Sequence, residues 1–469
     1  MRVDDSVFTI APLSKDRPTF QNMHEDQPMT RRRLATPLWR LALAVLFVSL
    51  TATAQQEPLT IQRAIDLALS RNERTTIAQA NIEAADARLR RARSFFFPEL
   101  AITSTYTRRA YETTRRIGDE DVTIQSFNAF NSGLNVTGTI FDARAFPLYR
   151  QARLERERVR LDAADERRLI SFEAADSFIT TLSFEQLASA ARRRRDFAHA
   201  NLNDAQARFE AGLVSSNDVT RAELEVATAE RELAQAGGDV RIAYVELGHL
   251  LNTEVSGPLG EPTQLLRVVE QPATIAAADI TAAQSRRSDL EAARRHVEAL
   301  REFASEPSRR FIPTLGFFGQ FRSTNESGLS GRNNDGFASF TMTWPLFDGG
   351  ERTAERAERL AQVRAAELDL ALTSREVALD LRRALEQISS DQAAIEQAVT
   401  AVRVAGKNAE ESLELYRQGL AGSLEVTDAS VRLFEAEVAL ARARYQLALA
   451  YLDLRSASGL TPATEENRS

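Results

Sequence analysis

The chain has 469 residues, a formal net charge of −7 and no cysteine, and its four histidines (His24, His199, His249 and His296) lie far apart. Without a thiol or grouped imidazoles, metal sites, thiol nucleophiles and histidine triads have almost nothing to build from, and there is no P-loop, so neither a catalytic residue nor a cofactor is expected. The acidic balance argues against nucleic acid as a partner, and the abundance of Ala, Leu, Glu, Arg and Gln is that of long exposed helices.

At the N-terminus Arg31-Arg32-Arg33 precedes an apolar run from Leu41 to Leu50, then Ala52-Thr53-Ala54 and Gln55. That order of charged, apolar and small residues is a secretory signal peptide. Residues 1–54 are read as a leader, with Met29 as an alternative start and Gln55 as the first mature residue. The run is shorter than the roughly 20 residues a spanning helix needs. No later stretch is long and apolar enough either, so any membrane insertion must be by strands.

A first repeat is expected over 55–248. Leu59 to Phe97 contains neither Gly nor Pro and carries Ile65, Leu69, Ile77, Ile82 and Leu89 at helical spacing, which predicts one helix ended by Pro98. Beyond it Leu100, Ile102 and Tyr106 alternate with Ala101, Thr103, Thr105 and Thr107, and Leu134, Val136 and Ile140 alternate with Asn135, Thr137 and Thr139. This is the period of two of a hairpin with one apolar and one polar face, at about 98–141, with a loop at Gly118 to Asp121. Asp142 is a candidate helix N-cap. From Pro147 to Gly212 the chain is free of both breakers, enough for a helix of about 95 Å. A return helix from about Asn217 completes an antiparallel pair at about 142–248. The run Arg192 to Arg195 reads as a solvated helix face.

Gly and Pro then cluster in an irregular equatorial segment, 249–272. A second repeat follows over 273–460, beginning with a helix from Thr274 to Glu306. Its hairpin, at about 313–347, places Leu315, Phe317 and Phe321 on one face of one strand and Ala338, Phe340, Met342 and Trp344 on that of the next, around a loop from Ser323 to Gly336. Its helix pair covers about 348–458, and 461–469 reads as a disordered tail. The repeat itself is legible: Arg208-Phe209-Glu210-Ala211-Gly212-Leu213 aligns with Leu415-Tyr416-Arg417-Gln418-Gly419-Leu420 at an offset of about 207. Heptads follow both, through Val219, Val226, Leu233, Val240 and Leu247, and through Val426, Leu433, Leu440, Leu447 and Leu454, implying supercoiled pairs.

Four strands of about ten residues match a membrane's thickness, but known bacterial barrels need at least eight. One chain cannot hide its own sheet edges from lipid, so oligomerisation is expected. The repeated order of hairpin, aromatic-Asp turn (Phe141-Asp142, Phe347-Asp348), long helix pair and Gly-Leu tip, with the opening Leu59-Thr60-Ile61-Gln62-Arg63-Ala64-Ile65-Asp66-Leu67-Ala68-Leu69, resembles the TolC-like outer-membrane efflux proteins from Leu59 to about Leu460. The resemblance implies a mainly α chain with membrane β: a homotrimer with a twelve-stranded barrel in outer-membrane lipid and a helical tunnel in the periplasm. It further implies a passive exit duct, serving an inner-membrane pump through a periplasmic adaptor in efflux or type I secretion. A sealed coiled-coil spacer or adhesin is the competing reading, and conductance separates the two.

By the same resemblance the two tips meet the adaptor, through Gly212, Leu213, Ser215 and Asp218 in the first and Gly419, Leu420 and Ser423 in the second. Taken alone, the residues fit good turns equally well: a Gly to reverse the chain and a Ser to cap the next helix. Glu425 and Asp428 share a helix face. They match the family's acidic constriction at the periplasmic entrance, and Tyr416 matches an aromatic residue that holds the closed tip. The family prototype has an arginine in the second tip where this chain has Ala421, which leaves two alternatives: Arg417 as a substitute, or an entrance held differently or more loosely.

Overall fold

The structure is a computed structural model that describes residues 58–269, 280–327 and 330–462. The leader, part of the helix expected from Thr274, and most of the tail lie outside the described residues. In chain order the elements are α1 (Ile61–Arg71), α2 (Glu73–Ser94), β1 (Glu99–Arg108), β2 (Thr113–Ile117), β3 (Glu120–Gln125), β4 (Asn128–Phe141), α3 (Ala145–Glu210), α4 (Ser216–Leu251) and α5 (Thr263–Val269). There follow α6 (Ile280–Arg286), α7 (Ser288–Arg309), β5 (Thr314–Thr324), β6 (Asn334–Thr343), α8 (Glu351–Arg417) and α9 (Ser423–Ala457).

α3 and α8, with 66 and 67 residues, are each about 100 Å long at 1.5 Å per residue. α4 returns along α3 and α9 along α8, while α2 and α7 pack on the outer reaches of the long helices. The core lies where most helices meet: Phe178 and Ile179 of α3, Leu247 of α4, Leu381 of α8 and Ala448 of α9 are fully buried there, against Ala64 and Ala68 of α1. Along α3, Phe172, Ala175, Ile179 and Leu182 recur at helical spacing and are all buried.

Strands β1, β4, β5 and β6 form one antiparallel sheet in that order. Its register places Ile102 opposite Leu134 and Leu134 opposite Phe321, Leu100 opposite Val136, and Phe317 opposite Phe340. The apolar sets read from both hairpins therefore share one face, and it is bare: Leu100, Ile102, Phe340 and Met342 are each about two-thirds exposed or more. The opposite face is mostly polar, with the Gln320 amide donating to Asn135 Oδ1 at 2.8 Å, apart from Phe318 and Phe337, whose rings pack on it 5.7 Å apart. A bare apolar sheet face of this kind suits contact with lipid.

Four expectations change. The helix from Leu59 breaks at Asn72, whose side chain accepts from the Arg74 amide at 3.0 Å and donates to the Leu250 carbonyl at 3.0 Å, so a cap and a tertiary contact together outweigh continuity. The loop at Gly118 to Asp121 is the turn of a further ribbon, β2–β3, with Gly118 at φ +67°. Asp142 lies ahead of the first helical residue and is gripped by Arg144, whose amide donates to it at 2.9 Å. The run Arg192 to Arg195 is not a uniformly solvated face: Arg194 is only 8% exposed, ion-paired with Glu225 and Glu232 and stacked 4.9 Å over Phe434 of α9.

Candidate functional site at the helix-pair tips

The tips are two copies of one device. Gly212 and Gly419 adopt φ +75° and +76°, which L side chains rarely take. This lets the Leu213 amide reach the Arg208 carbonyl at 2.9 Å and the Leu420 amide the Leu415 carbonyl at 2.9 Å, closing the last carbonyls of α3 and α8 in matching Schellman turns. Each turn thrusts a leucine into the open, Leu213 at 74% and Leu420 at 73% exposure.

The two copies then diverge, and the difference joins them. Ser215 caps α4 beside Asp218, which accepts from the Ser215 amide at 3.1 Å and its hydroxyl at 2.8 Å. In the second copy Gly422 stands at the cap, and the next residue, Ser423, turns its hydroxyl across to Asp218 Oδ1 at 2.5 Å. Ser423 is thus buried as a tie between tips, whereas Ser215 is exposed. These bonds, Ser423 first and Ser215 second, hold the Asp218 carboxyl below its ordinary value of 3.8. A depressed carboxylate stabilises the folded state above its ordinary value, and that contribution disappears as pH falls through the lowered one. Amide exchange at Ser215 is therefore expected to be flat from pH 7 to about pH 4 after correction for intrinsic rates, with protection lost only under stronger acid; Asp218→Asn should abolish that step.

A second tie was hidden from sequence reasoning. Arg208, at the end of α3, donates to the Tyr416 carbonyl at 2.8 Å and lays its guanidinium 4.4 Å over the Tyr416 ring. Tyr416 is 2% exposed, burial pushes its phenol up, and the hydroxyl has no hydrogen-bond partner among the described residues. The expected substitute, Arg417, is instead exposed and 3.9 Å from Glu414. Only the aromatic at 416 signalled this contact; its partner is 208 positions away. Arg208→Ala is expected to cost about 2 kcal/mol of tip contacts and to speed amide exchange at Gly419 and Leu420 by about thirtyfold. Tyr416→Phe, which removes only an unpartnered hydroxyl, should leave both rates unchanged.

Glu425 and Asp428 are both exposed on α9. Glu425 leans back over the cap, where a Cβ added to Gly422 would meet Glu425 Oε2 at 2.9 Å. Asp428 lies 3.7 Å from Arg432.

Long helix pairs with tied tips, joined to an antiparallel sheet that has one bare apolar face, are the architecture of an outer-membrane duct protein. A family model described as outer membrane efflux protein matches residues 64–253 and 280–460, and the chain belongs to that family. Among curated relatives, it is 26% identical over 362 residues to the alkaline protease secretion protein AprF of Pseudomonas aeruginosa, covering 74% of this chain and 73% of that protein. It is 23% identical over 389 residues to the outer membrane protein TolC of Vibrio cholerae, covering 81% and 86% of the two chains. The open-state MtrE outer membrane channel of Neisseria gonorrhoeae superposes with a TM-score of 0.73 at 17% identity, covering 86% of this chain and 91% of that one. The protein is an exit duct of the outer membrane, with its helical part in the periplasm.

Proposed function

We propose that three chains close a twelve-stranded barrel and continue it as a helical tunnel, and that the tips dock on a periplasmic adaptor leading to an inner-membrane pump. The observation that carries this reading is the open sheet: β1 and β6 are its end strands, each with one edge unpaired among the described residues. Unpaired backbone at membrane depth costs several kcal/mol per group, and antiparallel pairing of β6 with β1 of the next copy removes that cost. Three copies give twelve strands around a lumen lined by the polar face. Substrate passes through without reacting. The relative named for alkaline protease secretion supports secretion of polypeptides as one use of such a duct.

At the tips, Leu213 and Leu420 offer the adaptor an exposed apolar pair, framed by Ser215, while Gly212 and Gly419 set their direction. Asp218 and Ser423 hold the two tips in register. The test is native mass spectrometry of the detergent-extracted protein, paired with planar-bilayer recording and with photo-crosslinking from positions 213 and 420 in cells. The expected outcome is a threefold mass, ion conductance and capture of an adaptor. A stable monomer or dimer would refute the barrel closure. A trimer that never conducts would favour the sealed spacer, and a conducting trimer that captures no adaptor would refute the tip assignment.

A further inference from the structure

At the periplasmic end of the sheet the chain changes abruptly from basic to aromatic. The last turns of α2 carry Arg88, Arg90, Arg91 and Arg93, all exposed, directly before Phe95, Phe96 and Phe97, which are 41%, 42% and 57% exposed, and then β1 with its bare apolar face. None of these four guanidiniums has an ion-pair partner among the described residues. The carboxylate nearest them on α2, Asp86, is shared by Arg156 and Arg160 of α3, each 3.5 Å away. Glu99, at the start of β1, leaves a local excess of three positive charges, four arginines against one acid.

The second repeat handles the same junction differently. Arg310 is bound to Glu306 and Glu355, Arg352 to Asp348, and Arg359 to Glu306 and Glu355. All of its junction cations but the exposed Arg309 are consumed inside the protein, whereas the four of α2 are all left outside it.

Depth decides what can meet them. The four arginines lie within the last two turns of α2, which ends at Ser94, and a short turn leads from there to Glu99 at the start of β1, so they stand beside the headgroup layer, about 5–8 Å thick beyond the hydrocarbon edge. Long side chains bridge the remainder by reaching toward the interface. Arg93 already does so, its guanidinium lying 5.9 Å from the centre of the Phe97 ring, four residues further toward β1. Exposed aromatic rings sit at headgroup level and fix that depth.

We propose that the arginine collar at the end of α2 binds the phosphate headgroups of anionic glycerophospholipids in the periplasmic leaflet, clamping the duct at a set height in the outer membrane. This rests on the strands crossing that membrane as the family does. Guanidinium groups suit phosphate because they donate two parallel hydrogen bonds to it.

The test is native mass spectrometry of the full-length protein from micelles holding equal amounts of phosphatidylglycerol and phosphatidylcholine. Each cation near a lipid surface contributes about fivefold, reduced by salt, so phosphatidylglycerol should be retained over phosphatidylcholine by about tenfold. The triple variant Arg90→Gln, Arg91→Gln, Arg93→Gln should lose the preference, and the corresponding triple Lys variant should keep most of it. Equal retention of both lipids by the wild type would overturn the proposal, as would a preference unaltered in the Gln variant; the Lys variant separates charge from the paired hydrogen bonds of guanidinium. Dissociation of the Gln variant into monomers would also overturn it, because the arginines would then be meeting carboxylates of a neighbouring copy. The same spectra report the wild-type mass, so a failure of trimer assembly is seen separately.

Discussion

Glu306→Ala is expected to destabilise the protein by about 3–5 kcal/mol, the cost of breaking a buried ion pair from one side. Glu306 is 3% exposed near the end of α7, at the junction between helices and sheet. It accepts from Arg310 at 2.8 Å through both carboxylate oxygens and from Arg359 at 2.9 Å. Arg359, itself 8% exposed, is stacked 3.6 Å from the Phe303 ring centre and donates to the Phe303 carbonyl at 2.7 Å. Removing the carboxylate leaves two cations in a buried site with Glu355 as their remaining acid, and the penalty of an uncompensated buried charge exceeds the worth of the pair. Denaturant midpoints followed by helical circular dichroism provide the measurement. The double variant Glu306→Met with Arg359→Met should lose less than Glu306→Ala alone, because it removes both charges of one pair while Arg310 keeps Glu355. If the double variant is the worse of the two, the cost lies in packing, and the charge argument fails.

The sheet and the long helices were legible because each rests on a period that local residues express. Alternation placed Leu100, Ile102, Leu134, Phe321 and Phe340 on one face, and the register sets them side by side. Heptads found Leu247, Val426 and Leu447, all buried. The misreadings share another cause. Asn72 interrupts a run free of helix breakers through a contact with Leu250, Arg194 turns inward to acids on α4, and Arg208 meets Tyr416 across the duplicated halves. Each is a polar side chain whose partner is distant in sequence, and polar residues carry no periodic signal of what they will meet. The duplication hid one more feature. Aligned copies suggest equivalent tips, yet Ser215 and Gly422 occupy the same place in the two turns. Only the folded chain shows Asp218 of one copy accepting from Ser423 of the other.

We propose that Glu425 and Asp428 line the periplasmic entrance, and neutralising them is expected to have the largest effect on transport. In a trimer Glu425 and Asp428 supply six carboxylates, and a ring of fixed negative charge in a narrow pore draws cations and repels anions. The two residues do not contribute equally. Asp428 has Arg432 3.7 Å away, which cancels part of its field, whereas Glu425 has no cation partner among the described residues. Glu425→Gln should therefore remove more than half of the cation preference, Asp428→Asn less, and the double variant nearly all of it. Arg432→Gln should act in the opposite direction and strengthen the preference. Reversal potentials across a tenfold KCl gradient measure this. A reversal potential unchanged in the double variant would place the selective ring elsewhere in the duct. If Asp428→Asn outweighs Glu425→Gln, then Arg432 swings away from Asp428 when the tips part, and the arrangement at the entrance differs between closed and open tips.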